Sequence, residues 1–271
     1  MQDDPVSHSP DASKRRYLSF WAGVGETFPD LAGAWSTAYY RLDEQRLFRD
    51  HLGDLRGLKV LKTDLWDEAK NTRILRWAAR QGVVAHGADI SLPIVAQARY
   101  EFAARDEHLR AAQGDVRALP YASASFDAVY SMGTVEHFDE TTTAVAEIFR
   151  VLKPGGTAIV GVPNRWDPFL RPLMVAAMYR AGLYGYGFEK SYSRRGLRNM
   201  LQQAGFEIVA ETGILFVPGW LRILDLACNA WARPLAVVTG AACWPFSAAS
   251  RALPFLQRHG YLLATVARRP E

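Results

Sequence analysis

The sequence has little cysteine and no long apolar run, and each absence excludes a class of protein. Only Cys228 and Cys243 occur among 271 residues, in neither a metal-binding nor a redox spacing, which excludes a disulfide-stapled scaffold. The longest uncharged run of the most apolar region, 234–250, contains Pro245 and falls short of the roughly 20 residues that a membrane-spanning helix needs. The polar N-terminus shows no signal-peptide core. We therefore expect a cytoplasmic protein.

Charge of one sign is not concentrated anywhere in the chain. There are 32 Lys and Arg residues against 28 Asp and Glu, a net charge of +4, and the arginines are spread over the whole length. This pattern argues against a nucleic-acid partner and leaves open an anionic substrate or an anionic membrane surface. A hydrophobic content of 49% supplies a sizeable core, which excludes disorder as the main state.

Short β-rich runs alternate with helical patterns, and no internal repeat interrupts them. Such alternation predicts crossover connections and a mostly parallel sheet in an α/β fold. The predicted helices include 92–104, 141–152 and 193–204; the second ends at Lys153-Pro154-Gly155-Gly156, where proline and two glycines stop a helix. The predicted strands are 58–63, 83–89, 109–113, 126–131, 157–162, 206–212 and 261–267.

Three regions lie outside this alternation. We expect residues 1–13 to be a disordered tail, 14–56 a helical N-terminal cap segment, and 57–271 the main domain with insertions at about 164–192 and 217–255. The second insertion is strongly apolar. It is interpreted first as a buried helical cap, and alternatively as an element that rests on the inner face of a membrane.

The residues that end the predicted strands form a chemical pattern. In an open parallel sheet the ligand lies beyond the carboxyl ends of the strands. Asp89 follows the second strand and could accept hydrogen bonds from two ribose hydroxyls. Asp115 and Val116 follow the third strand and could bind and cover an adenine, and 131–133 follows the fourth. Each aspartate alone is more often a turn former or a helix cap.

Together these residues resemble a family, the class I S-adenosylmethionine-dependent methyltransferases, and in particular the ubiquinone and menaquinone C-methyltransferases. The resemblance rests on GADIS (87–91), GDVRALPYASASFDAVYSMGTVEHF (114–138) and EIFRVLKPGGTAIVGVPN (147–164). It implies a seven-stranded, doubly wound Rossmann-like sheet of order 3-2-1-4-5-7-6. It also implies S-adenosylmethionine as cofactor, with Asp89 at the ribose, Asp115 and Val116 at the adenine and 131–133 near the methionine. The full predicted cofactor-binding set is Asp64, Asp89, Ile90, Asp115, Val116, Ser131, Met132 and Gly133.

The chain departs from that family after the first strand. The family has a glycine-rich loop of the form VLDLGCGTG, whereas this chain has VLKTDLWDEAKN at 60–71, without glycine. One register puts Lys62 on the family's acidic residue, and another puts Trp66 on the first glycine. Glycines there let backbone approach the ligand. An altered loop could still hold the amino group through Asp64, Asp67 or Glu68, or it could mark a domain that no longer methylates.

Methyl transfer needs positioning and, for some acceptors, removal of a proton. The candidate catalytic residues are His137 and its neighbour Glu136, which follow the fourth strand. Equally, His137 could be a histidine that only stabilises its loop. No cluster of His, Cys and carboxylate residues has ligand spacing, so no metal site is predicted.

The segments outside the sheet are rich in aromatic residues, including Trp21, Trp35, Trp166 and Trp220. A lid of such residues suits a small or lipid-like acceptor such as a quinone, a polyketide or a lipid-linked molecule, although the same residues could simply pack the cap onto the sheet. Three hypotheses remain open: a methyltransferase, a methyltransferase-fold protein that acts as a non-catalytic partner, and a peripheral membrane protein that contacts the bilayer through 217–255. The last is compatible with either of the others.

Overall fold

The computed structural model describes residues 10–271. Seven strands form one sheet: β1 (Lys59–Lys62), β2 (Val84–Asp89), β3 (Arg110–Gln113), β4 (Phe126–Met132), β5 (Leu152–Pro163), β6 (Glu207–Ile214) and β7 (Leu262–Arg268). Ten helices are described: α1 (Pro10–Thr27), α2 (Trp35–Leu52), α3 (Trp66–Lys70), α4 (Ile74–Arg80), α5 (Leu92–Ala103), α6 (Thr141–Val151), α7 (Arg171–Arg180), α8 (Arg194–Gln203), α9 (Gly219–Trp231) and α10 (Arg233–Ala252). Of the predicted tail, residues 1–9 lie outside the described residues and 10–13 begin α1.

The strand order is β3-β2-β1-β4-β5-β7-β6, which confirms the predicted fold. The first five strands pair in parallel, and β7 pairs antiparallel to both β5 and β6. All seven predicted strands are present within a few residues of their expected ends. The largest difference is β5, which begins at Leu152 rather than at residue 157. Leu152 pairs with Phe126 while Thr157 pairs with Ala128. Between these two pairs, β5 therefore contains extra residues relative to β4.

Helices cover both faces of the sheet over two separate cores. On one face, α6 buries Ala144, Val145, Ile148 and Val151, a spacing of three and four residues that aligns apolar side chains on one side of a helix. The other core lies under α2, α4 and α5 and includes Phe48, Ile74 and Phe102. The sheet is therefore closed on both faces.

The cap over the carboxyl edge is built jointly by α2 and the second insertion. Asp43 of α2 accepts a hydrogen bond from the backbone N–H of Leu215, which follows β6 (2.7 Å). Asp225 of α9 accepts one from the backbone N–H of Ser36 at the start of α2 (2.7 Å), and the hydroxyl groups of Tyr39 and Ser250 lie 2.6 Å apart. These buried bonds join segments more than 170 residues apart in sequence, so the predicted helical cap is a single unit.

The insertion is buried on one side only. Leu221, Cys228 and Cys243 face the core, whereas Trp231 and Trp244 are 77% and 64% exposed. Helices α9 and α10 therefore do not form a fully buried cap, because no described element covers their outer face. No described helix is both long enough and apolar enough to cross a membrane.

Candidate active site

A cavity of about 210 Å³ opens at the carboxyl edge of the sheet, under α1, α9 and the segment that follows α7. Its wall contains nine of the ten residues that the sequence indicated for cofactor binding or catalysis: Asp64, Asp89, Ile90, Asp115, Val116, Met132, Gly133, Glu136 and His137. The tenth, Ser131, is fully buried behind the wall, where its hydroxyl accepts a hydrogen bond from Thr63 (2.8 Å). The parallel strands thus bring these distant residues to one place.

Asp89 ends β2 and is held rigidly. Its Oδ2 accepts a hydrogen bond from the backbone N–H of Leu65 (2.7 Å), and its Oδ1 accepts one from the N–H of Ser91 (2.8 Å). Burial raises the pKa of Asp89 to about 7, against the effect of these two bonds. Because each carboxylate oxygen has two lone pairs, one acceptor position on each oxygen remains for a ligand hydroxyl.

Asp115 follows β3 at the neighbouring end of the cavity. Its carboxylate pairs with the guanidinium of Arg117 (2.6 Å), which stacks on the ring of Tyr17 from α1 at 5.2 Å. Val116 beside it is buried and offers an apolar surface in the same wall. The pair of residues therefore combines a hydrogen-bond acceptor with an apolar face, the combination that an adenine requires.

The end of β4 provides a polar turn. Gly133 has a φ of +74°, a conformation that favours glycine over residues with a side chain. Thr134 after it donates a hydrogen bond from its hydroxyl to Oδ2 of Asp64 (2.9 Å). The turn after β4 and the loop after β1 are thereby tied together at the centre of the cavity.

The loop after β1 is ordered by a buried lysine. The strand ends at Lys62, which favours the register that puts this residue on the family's acidic position. The Nζ of Lys62 donates to the carboxylates of Asp64 (2.9 Å) and Asp67 (3.1 Å). Burial lowers the pKa of Lys62, but attraction to these carboxylates outweighs it and raises the pKa above its usual range. The lysine is therefore charged and fully engaged within the loop.

The loop has no glycine, and the glycine that allows close packing lies instead on the neighbouring strand β2. A Cβ on Gly87 of β2 would lie 2.3 Å from the side chain of Leu65, so glycine there gives the leucine its space. The chain then forms α3 and α4, and the carboxylate of Glu68 accepts hydrogen bonds from the backbone N–H groups of Leu75 and Arg76 (2.8 and 3.1 Å). The loop is a packed structure in its own right, and Trp66 extends from it into the cavity wall.

The two candidate catalytic residues lie on a short 3-10 turn, Val135–His137. The Nδ1 of His137 bonds the carbonyl oxygen of Phe188 (2.8 Å), so Nδ1 carries the proton and Nε2 is the acceptor nitrogen. Burial lowers the pKa of His137, against the effect of this bond. Burial, with Glu189 nearby, raises the pKa of Glu136 well above its usual range. Both shifts favour the uncharged forms, a neutral imidazole and a protonated carboxyl.

Glu136, His137 and Glu189 each place one potential ligand atom within 4.8 Å of the others. The Glu189 carboxylate, however, already pairs with the guanidinium of Arg171 (2.6 Å) and accepts a bond from Tyr184 (2.6 Å). The attraction of Arg171 outweighs burial and holds the pKa of Glu189 below its usual range. A cation here would have to displace a buried ion pair, so we still predict no metal ligand at this site.

The structure adds residues that the sequence did not indicate. Arg171, Arg222 and Tyr261 also lie in the cavity wall. Both arginines are buried, at 2% and 7% exposure. The only sequence signal for these arginines was that each stands alone among apolar residues. The residues that they contact lie tens of residues away in the chain.

Comparison with known proteins shows what part of the chain is similar to. The sequence profile of a family described as a methyltransferase domain matches residues 69–160. The chain is 39% identical over 83 residues to a malonyl-(acyl-carrier protein) O-methyltransferase of Enterobacter lignolyticus, covering 31% of this chain and 32% of that protein. It is 37% identical over 79 residues to a demethylmenaquinone methyltransferase of Thermus thermophilus, covering 29% and 36%. The chain thus matches about a third of the length of these relatives.

Solved structures extend the likeness to nearly the whole chain. The 4+2 cyclase SpnF superimposes with a TM-score of 0.59 at 18% identity, covering 95% of this chain and 96% of that one. A magnesium protoporphyrin IX methyltransferase of Synechocystis, solved with bound S-adenosylhomocysteine, gives 0.57 at 14% identity, covering 96% and 97%. At these identities the likeness shows the fold, and a cyclase among them shows that the fold alone does not fix the reaction.

The profile match and the relatives therefore show that part of this chain is similar to methyltransferase domains, and the solved structures show the same fold over nearly its whole length. The acceptors in the cavity wall fit S-adenosylmethionine, the cofactor that the resemblance implies. Asp89 has two open positions for ribose hydroxyls, Asp115 beside Val116 suits an adenine, and the Asp64 carboxylate suits an ammonium group.

Proposed function

We propose that the protein transfers a methyl group from S-adenosylmethionine to a small or lipid-like acceptor. The observation that carries this proposal is one cavity whose wall contains Asp89 and Asp115 together with aromatic residues such as Trp66, Tyr184 and Tyr186. The bound sulfonium would supply an already activated methyl group, so the protein has only to position two molecules and move a proton. Relatives in the superfamily include quinone and sterol methyltransferases, which supports an acceptor of this kind.

In this proposal Asp89 and Ile90 hold the ribose, and Asp115 and Val116 hold the adenine. Asp64, with Met132 and Gly133 beyond it, faces the methionine end of the cofactor. Ser131 acts behind the wall by fixing the loop through Thr63. These assignments agree with the chemistry of each group, because carboxylates accept from hydroxyl, amino and ammonium donors.

His137 is the proposed general base. Its Nδ1 proton is held by the carbonyl of Phe188, which leaves the Nε2 lone pair available to take a proton from the acceptor. The Glu136 carboxyl lies 4.0 Å from Nε2, and its raised pKa favours the protonated form, which would orient the acceptor by donating a hydrogen bond. A lowered pKa keeps the imidazole in its accepting form at neutral pH.

The test is transfer of radiolabelled methyl from S-adenosylmethionine to a lipid extract, followed by chromatography of the labelled product. We expect labelling by the unchanged protein and a loss of about a hundredfold or more in His137→Gln. His137→Gln should bind S-adenosylhomocysteine as tightly as the unchanged protein, because the base does not hold the cofactor. Tight cofactor binding with no labelled product would favour a different reaction or a non-catalytic partner role.

We further propose that the outer face of the cap rests on an anionic membrane surface. Trp220, Leu224 and Trp231 of α9 are exposed, as are Val238 and Trp244 of α10. The helix α7 contacts α9 and exposes Leu173, with Leu183 exposed just after it. Exposed apolar surface on several adjoining elements is unusual for a monomer in water and typical of an interaction surface.

The charges of these segments favour an anionic lipid over a second protein chain. All three carboxylates within the described segments 164–192 and 217–259 are turned inward: Asp167 and Asp225 are buried, and Glu189 pairs with Arg171. The exposed charged residues include Arg165, Arg180, Arg233, Arg251 and Arg258. Tryptophan with arginine on one face is the composition of an interfacial element.

Co-sedimentation with vesicles tests this surface. The full chain should pellet with phosphatidylcholine vesicles that contain phosphatidylglycerol and much less with phosphatidylcholine alone. A double variant, Trp220→Ser with Trp231→Ser, should lose most of the binding, whereas Tyr100→Ser, which changes an exposed aromatic residue on α5, should not. Absence of pelleting, or a dimer in gel filtration that the double variant dissolves, would overturn the membrane assignment.

A further inference from the structure

A second charged group lies in the cavity wall, and the proposed cofactor and base leave it unused. Arg222 of α9 is 7% exposed and lines the cavity. Its guanidinium stacks between two tyrosine rings, at 5.4 Å from the centre of Tyr40 and 5.7 Å from that of Tyr261. Its orientation is therefore set by packing before any ligand arrives.

This guanidinium has no anionic partner among the described residues. No described carboxylate lies within salt-bridge distance of it, and its Nη1 is buried without a hydrogen-bond partner. The other arginine near Tyr261, Arg171, is neutralised by Glu189. A buried and unpaired guanidinium is costly, so its presence points to an anionic ligand that completes it.

The position of Arg222 in the sheet indicates which ligand. Asp89, Asp115 and Gly133 follow β2, β3 and β4, on one side of the fold. Arg222 stacks on Tyr261, which precedes β7, on the other side, because β7 lies beyond β5 in the strand order. Through Tyr261 the arginine lies away from the ends of β2 and β3, where Asp89 and Asp115 lie, whereas its other ring, Tyr40, is close to the loop after β1.

We propose that Arg222 receives the carboxylate of the methyl acceptor, and that the acceptor is therefore an acidic molecule with an aromatic or otherwise apolar body. The planar guanidinium matches a carboxylate with two parallel hydrogen bonds, and the flanking tyrosines cover the adjoining apolar part of the ligand. That the bound anion is a methyl acceptor rests on the proposed function, although the anion site itself does not.

The test uses three probe pairs that differ only in charge: benzoate, 4-hydroxybenzoate and decanoate against the matching amides. Calorimetric titration is done with and without S-adenosylhomocysteine. The unchanged protein should bind at least one carboxylate about tenfold or more tighter than its amide, the effect of one hydrogen-bonded charge pair. Arg222→Gln should lose that preference, and Arg222→Lys should keep part of it. Arg49→Gln, which changes an exposed arginine stacked on Trp77 at 5.5 Å, should keep all of it.

The cofactor also has a carboxylate. A second set of titrations therefore tests whether Arg222 binds the carboxylate of the acceptor or that of the cofactor. Binding of S-adenosylhomocysteine is compared with that of 5′-methylthioadenosine, which lacks the amino-acid end. Arg222→Gln should leave both affinities unchanged; a loss for S-adenosylhomocysteine alone would assign the arginine to the cofactor and overturn the acceptor assignment. An unchanged protein that prefers no carboxylate would also overturn it. If S-adenosylhomocysteine fails to bind but the carboxylate preference persists and depends on Arg222, the proposed methyl transfer fails while the anion site stands.

Circular dichroism and thermal melting accompany each variant, because Arg222 packs between two tyrosines. Arg222→Lys keeps the charge and serves as the folded reference if Arg222→Gln melts early. Loss of the carboxylate preference in Arg222→Gln, with retention in Arg222→Lys and native melting in at least the lysine variant, supports the proposal. Equal preference in all three proteins contradicts it.

Discussion

Asp89 shows how one residue can serve structure and ligand at once. Its two oxygens hold the start of α5 through Ser91 and the loop after β1 through Leu65. The same two bonds aim the remaining lone pairs into the cavity. Burial raises its pKa to about 7, so its charge changes in the physiological range.

We expect the affinity for S-adenosylhomocysteine to depend on pH through Asp89. The ionised carboxylate is the better acceptor for ribose hydroxyls, so binding favours loss of the proton. The affinity for S-adenosylhomocysteine should therefore rise from about pH 6 to about pH 8. The change is up to about tenfold per pH unit for one linked proton. Titration calorimetry across this range measures it.

Asp89→Asn provides the control, because an amide does not titrate. Its affinity should be lower at pH 8 and nearly flat with pH. A pH-independent affinity in the unchanged protein, or the same pH dependence in Asp89→Asn, would remove Asp89 from the ribose site.

Residue identity alone did not reveal every member of the site. Asp89 and Asp115 could be predicted because each follows a recognisable strand. Arg222 could not, since a lone cation in an apolar segment gains its meaning only from neighbours such as Tyr261, which the fold brings near. Ser131 illustrates the reverse: its position at a strand end was predicted, but the direction of its side chain is set by Thr63.

At the scale of elements, the segment from β1 to α4 replaces a glycine-rich loop by a network of buried polar groups. Lys62 binds Asp64 and Asp67, and Asn71 donates to Asp67 (2.7 Å). The alternative that this loop has decayed and marks a domain that no longer methylates is not what the contacts favour, because each of these groups has a partner. A degenerate loop would leave them unsatisfied.

Glu68 is the part of this network that holds α4. Replacing it with alanine leaves the N–H groups of Leu75 and Arg76 without their acceptor. We expect Glu68→Ala to lower the free energy of unfolding by about 2 kcal/mol, the usual effect of losing a charged helix cap. Urea denaturation followed by circular dichroism measures it.

Glu68→Gln retains one oxygen acceptor and should fall between the two proteins. Equal stability of Glu68→Ala and the unchanged protein would show that water replaces the cap at no cost. That result would contradict the view of this loop as a packed element.

The strands could be predicted from sequence more fully than the loops between them. Alternating β-rich runs located all seven strands, and the family resemblance supplied their order. The early start of β5 was missed because Lys153-Pro154-Gly155-Gly156 reads as a stop signal, whereas pairing of Leu152 with Phe126 continues the strand before it. Tertiary pairing overrides local preference in such cases.

At the scale of the whole molecule, the cap separates two surfaces of different character. Its inner side encloses a cavity whose wall contains both the strand-end carboxylates and Arg222. Its outer side exposes tryptophan and arginine. An acidic, partly apolar acceptor could pass from a membrane surface into such a cavity, so the proposed membrane face and anion site are consistent with one substrate class.

The central claim is that this cavity binds S-adenosylmethionine although the loop after β1 has no glycine. Calorimetric titration of the folded protein with S-adenosylhomocysteine tests it most directly. The account predicts one site per chain with a dissociation constant in about the micromolar range, weakened in Asp89→Asn. No detectable binding, in protein shown to be folded by circular dichroism, would contradict the claim.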